Sequence, residues 1–106
     1  MFTQKELEGI DRNYFNIIKA SCFCVTLQSK NTRHYWHIVH IEYPTFQTCQ
    51  IYHNHNRFGP YHQHHNRPTL EKAIKDIKSH DDFQINVRDK KKRARRKLYE
   101  AGSNAI

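Results

Sequence analysis

The spacing of apolar residues changes along the chain, and this change constrains the fold more than any other feature of the sequence. Apolar residues recur at helical spacing in residues 7–18 and again in residues 70–77, whereas they alternate with polar residues in residues 22–27. A period near 3.6 indicates an amphipathic helix, and a period of two indicates a half-buried strand. Helices near both ends with strands between them predict an α+β domain.

Two helices have recognisable starts. Thr3 and Glu6 have the spacing of a capping box, so a first helix is predicted to begin there and to end near Ala20. A glycine inside this segment weakens the helix, so the segment could form either one helix or two short ones. Thr69 is a good N-cap for a second helix, which the spacing of apolar residues places near 69–80.

Three or four antiparallel strands are predicted between the helices. Residues 22–27, 35–43 and 46–55 are rich in aromatic and β-branched residues, and residues 61–65 are a short fourth strand. Residues 83–87 alternate again and predict a last edge strand. The expected fold is therefore an antiparallel three- to four-stranded meander flanked by the two helices on one face.

The positive charge is concentrated near the carboxyl end. Residues 1–87 carry ten Lys or Arg and eight Asp or Glu, a net charge of +2, whereas residues 88–106 carry eight and two, a net charge of +6. We therefore divide the chain into a single α+β domain over residues 1–87 and a basic extension over residues 88–106. Good helix formers in the extension predict a basic helical tail.

The basic tail indicates contact with nucleic acid, either DNA or RNA. Clustered Lys and Arg can meet several phosphates, and each contact releases counterions without reading the sequence. A solubilising tail or a docking surface for an acidic protein is the alternative. Aromatic and basic side chains of residues 52–67 can stack on bases or bond to their edges. The predicted nucleic-acid-binding residues are Lys90, Lys91, Lys92, Arg93, Arg95, Arg96, Lys97, Arg57, Arg67, Tyr52 and Tyr61.

Five of the nine histidines lie within residues 53–65. If the strands on either side of a turn at residues 57–60 pair symmetrically, His53 opposes His64 and His55 opposes His62, and all four share one face. Neutral imidazole is a good ligand for zinc. These four histidines are therefore a candidate metal site with zinc as the ion. A polar surface without any cofactor is the alternative.

Catalysis is the less favoured class of function. The sequence has no Gly-rich phosphate loop, no carboxylate cluster and no triad motif, although paired histidines can cleave RNA. The three cysteines are an odd number and are expected to be reduced. Because no apolar run resembles a membrane span or a secretion signal, we expect a cytoplasmic protein without membrane contact.

The order of elements resembles that of the double-stranded RNA-binding domain, although TLEK at residues 69–72 replaces the basic pattern that begins that family's second helix. The run from YWHI at residues 35–38 through YHQH at residues 61–64 to IKSHD at residues 77–81 resembles uncharacterised small accessory proteins of bacterial mobile elements and phages. That resemblance implies a role in element maintenance, in regulation or in interference with host defence. It implies no reaction.

The leading hypothesis is a non-enzymatic nucleic-acid-binding accessory protein whose tail contacts phosphates. A protein-binding inhibitor of a host defence system, for example an anti-CRISPR protein, is the alternative from another class. A metal-dependent nuclease is the third. The sequence does not decide whether the nucleic acid is DNA or RNA, whether a host protein is a partner, or what the oligomeric state is.

Overall fold

A computed structural model describes residues 1–88, 91, 94 and 95. This part of the chain forms a five-stranded antiparallel sheet, with a short helix before it and a longer helix after it. None of its helices is long and apolar enough to cross a membrane. The elements are α1 (Gln4–Glu8), β1 (Phe15–Ala20), β2 (Cys24–Ser29), β3 (Tyr35–Glu42), β4 (Gln47–Asn54), β5 (His62–Arg67), α2 (Leu70–Phe83) and a π-helical turn (Gln84–Arg88).

The five strands form a meander in which each strand pairs with the next one along the chain. Successive side chains of a strand point to opposite faces of a sheet. We call the face that carries Trp36 and Ile38 the inner face, because both side chains are fully buried. The outer face carries Tyr35 and His37, which are only partly buried. The predicted α+β class is confirmed.

The predicted number of three to four strands is wrong, because β1 occupies residues that were expected to continue the first helix. In β1, Phe15 lies opposite Ser29 and Ile17 lies opposite Leu27. Apolar residues are so dense in residues 14–18 that they fit a helical period as well as a period of two. Pairing with β2 favours the strand over the helix. It buries Phe15 and gives hydrogen-bond partners to the backbone of β2, which would otherwise be an exposed edge.

α1 begins as predicted but ends early. The Thr3 hydroxyl accepts the N–H of Glu6 at 3.1 Å, and the Glu6 carboxylate accepts the N–H of Thr3 at 3.0 Å, so the capping box is confirmed. After the glycine that follows α1, the Asp11 carboxylate accepts the N–H of Asn13 at 2.9 Å. This side chain to backbone bond forms a turn that leads into β1 instead of a second helix.

α2 confirms the helix predicted near residues 69–80 and extends beyond it. Thr69 is its N-cap and accepts the N–H of Lys72 at 3.2 Å. The edge strand predicted at residues 83–87 is wrong, because these residues end α2 and form the π-helical turn. No Gly or Pro interrupts residues 70–88, and extending a formed helix adds hydrogen bonds without the cost of a new nucleus.

The predicted basic helical tail lies almost entirely outside the described residues. The three positions described beyond residue 88 are helical and exposed.

The core lies between the inner face of the sheet and the two helices. Trp36 is fully buried, and its Nε1–H donates to the Ser29 hydroxyl at 3.1 Å. Burying each large apolar side chain contributes about 1.5–3 kcal/mol. The core residues are Phe2, Ile10, Phe15, Val25, Leu27, Trp36, Ile38, Cys49, Ile51, Leu70, Ala73 and Ile77.

A buried carboxylate fixes the carboxyl-terminal half of α2 over the sheet. Asp81 has no solvent exposure and accepts two hydrogen bonds, from the Tyr14 hydroxyl at 2.8 Å and from the Thr32 hydroxyl at 3.0 Å. Burial, together with the Asp81 carboxylate, raises the pKa of Tyr14. The neighbouring residue His80 is thereby held above the inner face.

The three cysteines are free thiols. Cys49 is buried in the core, and burial raises its pKa to about 11. Its thiol is therefore neutral near pH 7 and packs as a small apolar group, as expected for a cysteine on a strand.

Candidate functional site

The symmetric pairing predicted for the β4–β5 hairpin is wrong. His53 lies opposite His62, not His64, and His55 lies in the connecting loop. A β-bulge adds His64 as an extra residue on β5 opposite β4. The connection spans residues 55–61, longer than the predicted turn, so the register shifts. His62 is exposed to solvent and does not join the other three predicted histidines, although the rings of His55 and His64 lie 5.2 Å and 6.4 Å from that of His53.

A different set of histidines meets beneath α2. We call His34, His53 and His80 the histidine cluster. His53 Nε2 and His34 Nδ1 are 2.9 Å apart and share a hydrogen bond, and the ring centres of His53 and His80 are 5.0 Å apart. One ring nitrogen from each residue lies within 4.8 Å of the other two. These three side chains can hold one metal ion.

Three separate elements bring the histidine cluster together. His34 directly precedes β3, and the chain reaches it through Arg33, whose φ of 65° is left-handed. The Arg33 N–H donates to the Ser29 carbonyl at 2.9 Å and closes the turn between β2 and β3. His53 lies near the end of β4, and His80 lies in the last turns of α2. The cluster thus forms only when α2 packs on the sheet.

Aromatic rings enclose the histidine cluster. Trp36 lies opposite His53 across the β3–β4 pair and stacks on it with ring centres 4.2 Å apart. The rings of His80 and Trp36 are nearly perpendicular, with centres 5.3 Å apart. On the other side, His55 stacks on His34 at 4.0 Å, and the rings of His64 and His80 are 4.9 Å apart.

Burial favours the neutral form of these imidazoles. Burial, helped by neighbouring histidines, lowers the pKa of His53 to about 3, and burial also lowers the pKa of His64 and of His80. In the described part of the chain, His80 Nδ1 and His64 Nε2 are buried without a hydrogen-bond partner. A neutral imidazole with an unpaired nitrogen is the form that binds metals.

A second group at the β5 edge can also hold a metal ion. It consists of His64, His65 and Asp76, whose ligand atoms lie within 4.8 Å of one another. The Asp76 carboxylate already accepts a hydrogen bond from His65 at 2.7 Å and pairs with the Arg67 guanidinium at 3.0 Å. A metal cation there would have to compete with Arg67. This contact also occupies one of the predicted nucleic-acid-binding residues.

The outer face of the sheet carries aromatic rings. Tyr52 of β4 lies directly opposite His37 of β3, and the Tyr61 ring packs on His37 with ring centres 4.1 Å apart. Tyr35 lies on the same face, and burial and its proximity raise the pKa of Tyr61. We call Tyr35, His37, Tyr52 and Tyr61 the aromatic surface. The structure thus brings the predicted residues Tyr52 and Tyr61 together on one face.

A groove of about 370 Å³ adjoins the aromatic surface. The cations Lys19 and Arg57 line it, and the Arg57 guanidinium lies over the ring of Phe58, which is 80% exposed. The Tyr61 hydroxyl donates to the Arg57 carbonyl at 2.9 Å and holds the β4–β5 loop beside the sheet. The groove is lined by Ile18, Lys19, Thr26, His37, Arg57, Phe58 and Tyr61.

Most of the predicted phosphate-contacting residues lie outside the described part of the chain. Lys91 and Arg95 are described, and both are exposed and helical. The positions not described are Lys90, Lys92, Arg93, Arg96 and Lys97.

A larger groove, of about 610 Å³, lies between α1 and the amino-terminal half of α2. Its lining mixes Lys and Glu side chains with Leu70 and Ile74, and contains no histidine, cysteine or aromatic residue. It therefore offers less chemistry than the histidine cluster or the outer face.

Two residues of the histidine cluster, His34 and His80, were not among the predicted metal ligands. One signal for His34 is present in the sequence. A hairpin centred on residues 43–46 pairs Glu42 with Gln47 and Trp36 with His53, as the structure shows. The same register brings His34 towards His55. No comparable signal exists for His80, because its position depends on how α2 packs.

Comparisons with family models, with curated proteins and with solved structures give no match.

Proposed function

We propose that the protein is a non-enzymatic nucleic-acid-binding protein that holds single-stranded DNA or RNA against the outer face of its sheet. The observation that carries this proposal is the aromatic surface beside Lys19 and Arg57. In the described part of the chain, no helix covers this face.

Stacking on bases is the first contribution. Base–aromatic stacking contributes about 1–3 kcal/mol per base and tolerates any sequence, because every base has a π-face. Tyr35, His37 and Tyr52 are partly buried, so packing already orders their rings. The hydrogen bond of His37 Nδ1 with the Thr26 hydroxyl, at 2.7 Å, restrains that ring further. Rings that are ordered before binding lose little conformational entropy on binding.

The shape of this surface favours single strands. Proteins read duplex DNA mainly by placing a helix or a two-stranded ribbon in the major groove. An open sheet face with partly exposed rings instead suits unpaired bases that lie flat on it, and sequence-specific RNA recognition mostly targets such single-stranded regions.

Charge is the second contribution. The basic extension at residues 88–106 carries a net charge of +6 and the rest of the chain +2, so most of the phosphate attraction comes from the extension. We infer that the extension contacts the phosphates. When the salt concentration rises tenfold, the logarithm of the binding constant for a single strand falls by about 0.7 for each phosphate that the protein neutralises.

The biological role is proposed from the resemblance to small accessory proteins of mobile elements and phages. Such a protein would meet its nucleic acid in the cytoplasm, as an accessory factor that performs no reaction. Zinc is compatible with this role as a structural ion, because closed zinc sites stabilise small folds without catalysis.

A protein-binding inhibitor of a host defence system is the second candidate. Exposed aromatic side chains favour it: Phe58 is 80% exposed and Phe46 is 57% exposed. However, Phe46 lies in the β3–β4 turn and Phe58 lies in the β4–β5 loop, at opposite ends of β4. β4 has eight residues, which separates its ends by about 25 Å. The two rings therefore do not form the contiguous apolar patch of an interface core.

The test is a panel of fluorescence anisotropy titrations with single- and double-stranded DNA and RNA of equal length. We expect the full chain to bind single strands more tightly than duplexes. A variant in which the seven Lys and Arg residues of segment 90–97 become Gln keeps the chain length and should bind about a hundredfold more weakly at 50 mM salt, with a flatter salt dependence.

Two results would contradict the proposal. One is an affinity that does not change between 50 and 300 mM salt. The other is a host protein that copurifies stoichiometrically from nuclease-treated lysate while purified chain binds none of the four nucleic acids. That second result would instead support the inhibitor.

A further inference from the structure

We propose that the histidine cluster binds one zinc ion, with His34, His53 and His80 as ligands, and that the ion joins α2 to the sheet. This proposal goes beyond nucleic-acid binding and does not depend on it, because the cluster lies on the inner face, away from the aromatic surface.

The spacing of the ring nitrogens supports a shared ion. Zinc binds imidazole nitrogen at about 2.0–2.1 Å, and two ligands of a tetrahedral ion are then about 3.3 Å apart. His53 Nε2 and His34 Nδ1 are 2.9 Å apart, and one ring nitrogen from each of the three histidines lies within 4.8 Å of the other two. These separations are close to those that a shared zinc ion requires.

The protonation of the rings is compatible with metal binding. One proton lies between His34 Nδ1 and His53 Nε2 in the hydrogen bond that they share. When zinc binds both nitrogens, the ring that carries this proton changes tautomer, and the proton moves to its other ring nitrogen. Each ligand is then a neutral imidazole, and the exchange releases no proton.

The surroundings of the cluster suit a metal site. His80 Nδ1 is a buried polar atom without a hydrogen-bond partner in the described part of the chain. An unsatisfied buried group of this kind has a free-energy cost, which coordination would remove. Trp36 stacks on His53 and limits access of water from below. His64 lies beside the cluster with its ring 4.9 Å from that of His80, but its Nε2 is 3.9 Å from the Asp76 carboxylate, so it belongs to the second group.

The competing sets are less suitable. His62 is exposed and lies at the start of β5. In the second group, Arg67 already neutralises Asp76. The ligands of the histidine cluster come from three separate parts of the fold, as in a site that stabilises tertiary structure.

The experiment uses the full chain without a polyhistidine tag, stripped of metal with a chelator and then titrated with Co²⁺ and Zn²⁺ in the absence of nucleic acid. Co²⁺ should bind one equivalent, give a visible absorption band typical of tetrahedral nitrogen ligands, and quench the fluorescence of Trp36. Trp36 is the single tryptophan, and its ring centre is 4.2 Å from that of His53. Zn²⁺ should abolish the Co²⁺ band and raise the melting temperature.

His80→Gln and His62→Gln are the matched variants. His80→Gln should weaken Co²⁺ binding by about a hundredfold or more, because loss of a ligand exceeds the 10–100-fold loss caused by changing a supporting residue. His62→Gln should bind like the unmodified chain. Circular dichroism of both variants checks that they are folded. If His80→Gln does not fold, the Co²⁺ titration of the unmodified chain still decides the question.

Three outcomes would overturn the proposal. The first is no stoichiometric Co²⁺ or Zn²⁺ binding to the unmodified chain. The second is binding without quenching of Trp36. The third is an equal loss of affinity in His62→Gln and His80→Gln, which would place the ion elsewhere. None of these outcomes bears on the nucleic-acid titrations, so the two proposals fail separately.

Discussion

The two faces of the sheet carry similar residue types in opposite circumstances. On the inner face, His34 and His53 stack with other rings beneath α2. On the outer face, His37 and Tyr52 lie opposite each other with no helix above them in the described part of the chain. One face presents imidazole nitrogens to one another, and the other presents ring surfaces to solvent.

This difference shows that the abundant histidines do not form a single site. Burial lowers the pKa of both His53 and His37, but only for His53 do neighbouring histidines add to the effect and bring the pKa to about 3. His37 instead shares a hydrogen bond with the Thr26 hydroxyl. The inner face is thus suited to a metal ion and the outer face to stacking.

The largest expected effect comes from substituting two neighbouring residues of β3, one on each face of the sheet, and comparing the loss of stability. Ile38 is fully buried on the inner face, whereas Val39 is partly exposed on the outer face. Ile38→Ala should lower the free energy of unfolding by about 2–5 kcal/mol, because it leaves a cavity in the core. Val39→Ala should cost less than about 1 kcal/mol. Urea denaturation followed by circular dichroism measures both, and equal losses would show that the outer face is also covered.

The next effect concerns stacking on the outer face. Tyr52→Ala should weaken single-strand binding by about 1–3 kcal/mol, because one base loses its aromatic partner. Tyr43→Ala is the control, since Tyr43 is exposed in the β3–β4 turn, where its ring stacks on Phe46. Anisotropy titrations compare the two variants at one salt concentration. A loss in Tyr43→Ala that matches the loss in Tyr52→Ala would remove the aromatic surface as the binding site.

A smaller effect concerns acid and the inner histidines. The lowered pKa of His53, His64 and His80 means that the unfolded chain binds more protons below about pH 6.5 than the folded chain does. The stability that these groups contribute is present above pH 6.5 and is lost as the pH falls towards 3. The effect per group is modest, because the rings are only partly buried.

Urea midpoints measured at pH 7.5 and pH 5.5, with a chelator present, give the acid sensitivity. The midpoint of the unmodified chain should fall at pH 5.5, and His80→Gln should show a smaller fall, because one of the titrating groups is gone. A midpoint that is the same at both pH values would mean that the inner histidines are as accessible as those at the surface.

The smallest expected effect lies at the β5 edge. Asp76→Asn removes the ion pair with Arg67, whose side chain is 40% exposed. Because partly exposed ion pairs contribute little, the free energy of unfolding should change by less than about 1 kcal/mol. The change should also release Arg67 and slightly strengthen single-strand binding. A large destabilisation would show that this edge belongs to the core.

Local sequence signals predicted most of the elements. The capping box at Thr3, the N-cap at Thr69 and the strands β2 to β5 are all present, because capping side chains and period-two alternation act within a few residues. β1 was missed, because the apolar cluster in residues 14–18 fits both periods. The π-helical turn was missed because helix propagation from α2 overrides the alternation of residues 83–87.

The candidate sites were less predictable. Tyr52 and Tyr61 were predicted as binding residues, and they share a face. The predicted metal ligands included His53, but the bulge and the long loop of the β4–β5 hairpin changed the partners of the other three. A register depends on loop length and on which side chains are buried, and neither follows from histidine spacing alone.

The sequence by itself determined the α+β class, the concentration of positive charge in residues 88–106 and the abundance of histidine. These properties depend on composition and on short-range periodicity. Only the tertiary structure decided which histidines meet. His34, His53 and His80 are far apart in the chain, and they come together because Asp81 and the apolar residues of α2 bury that helix against the inner face.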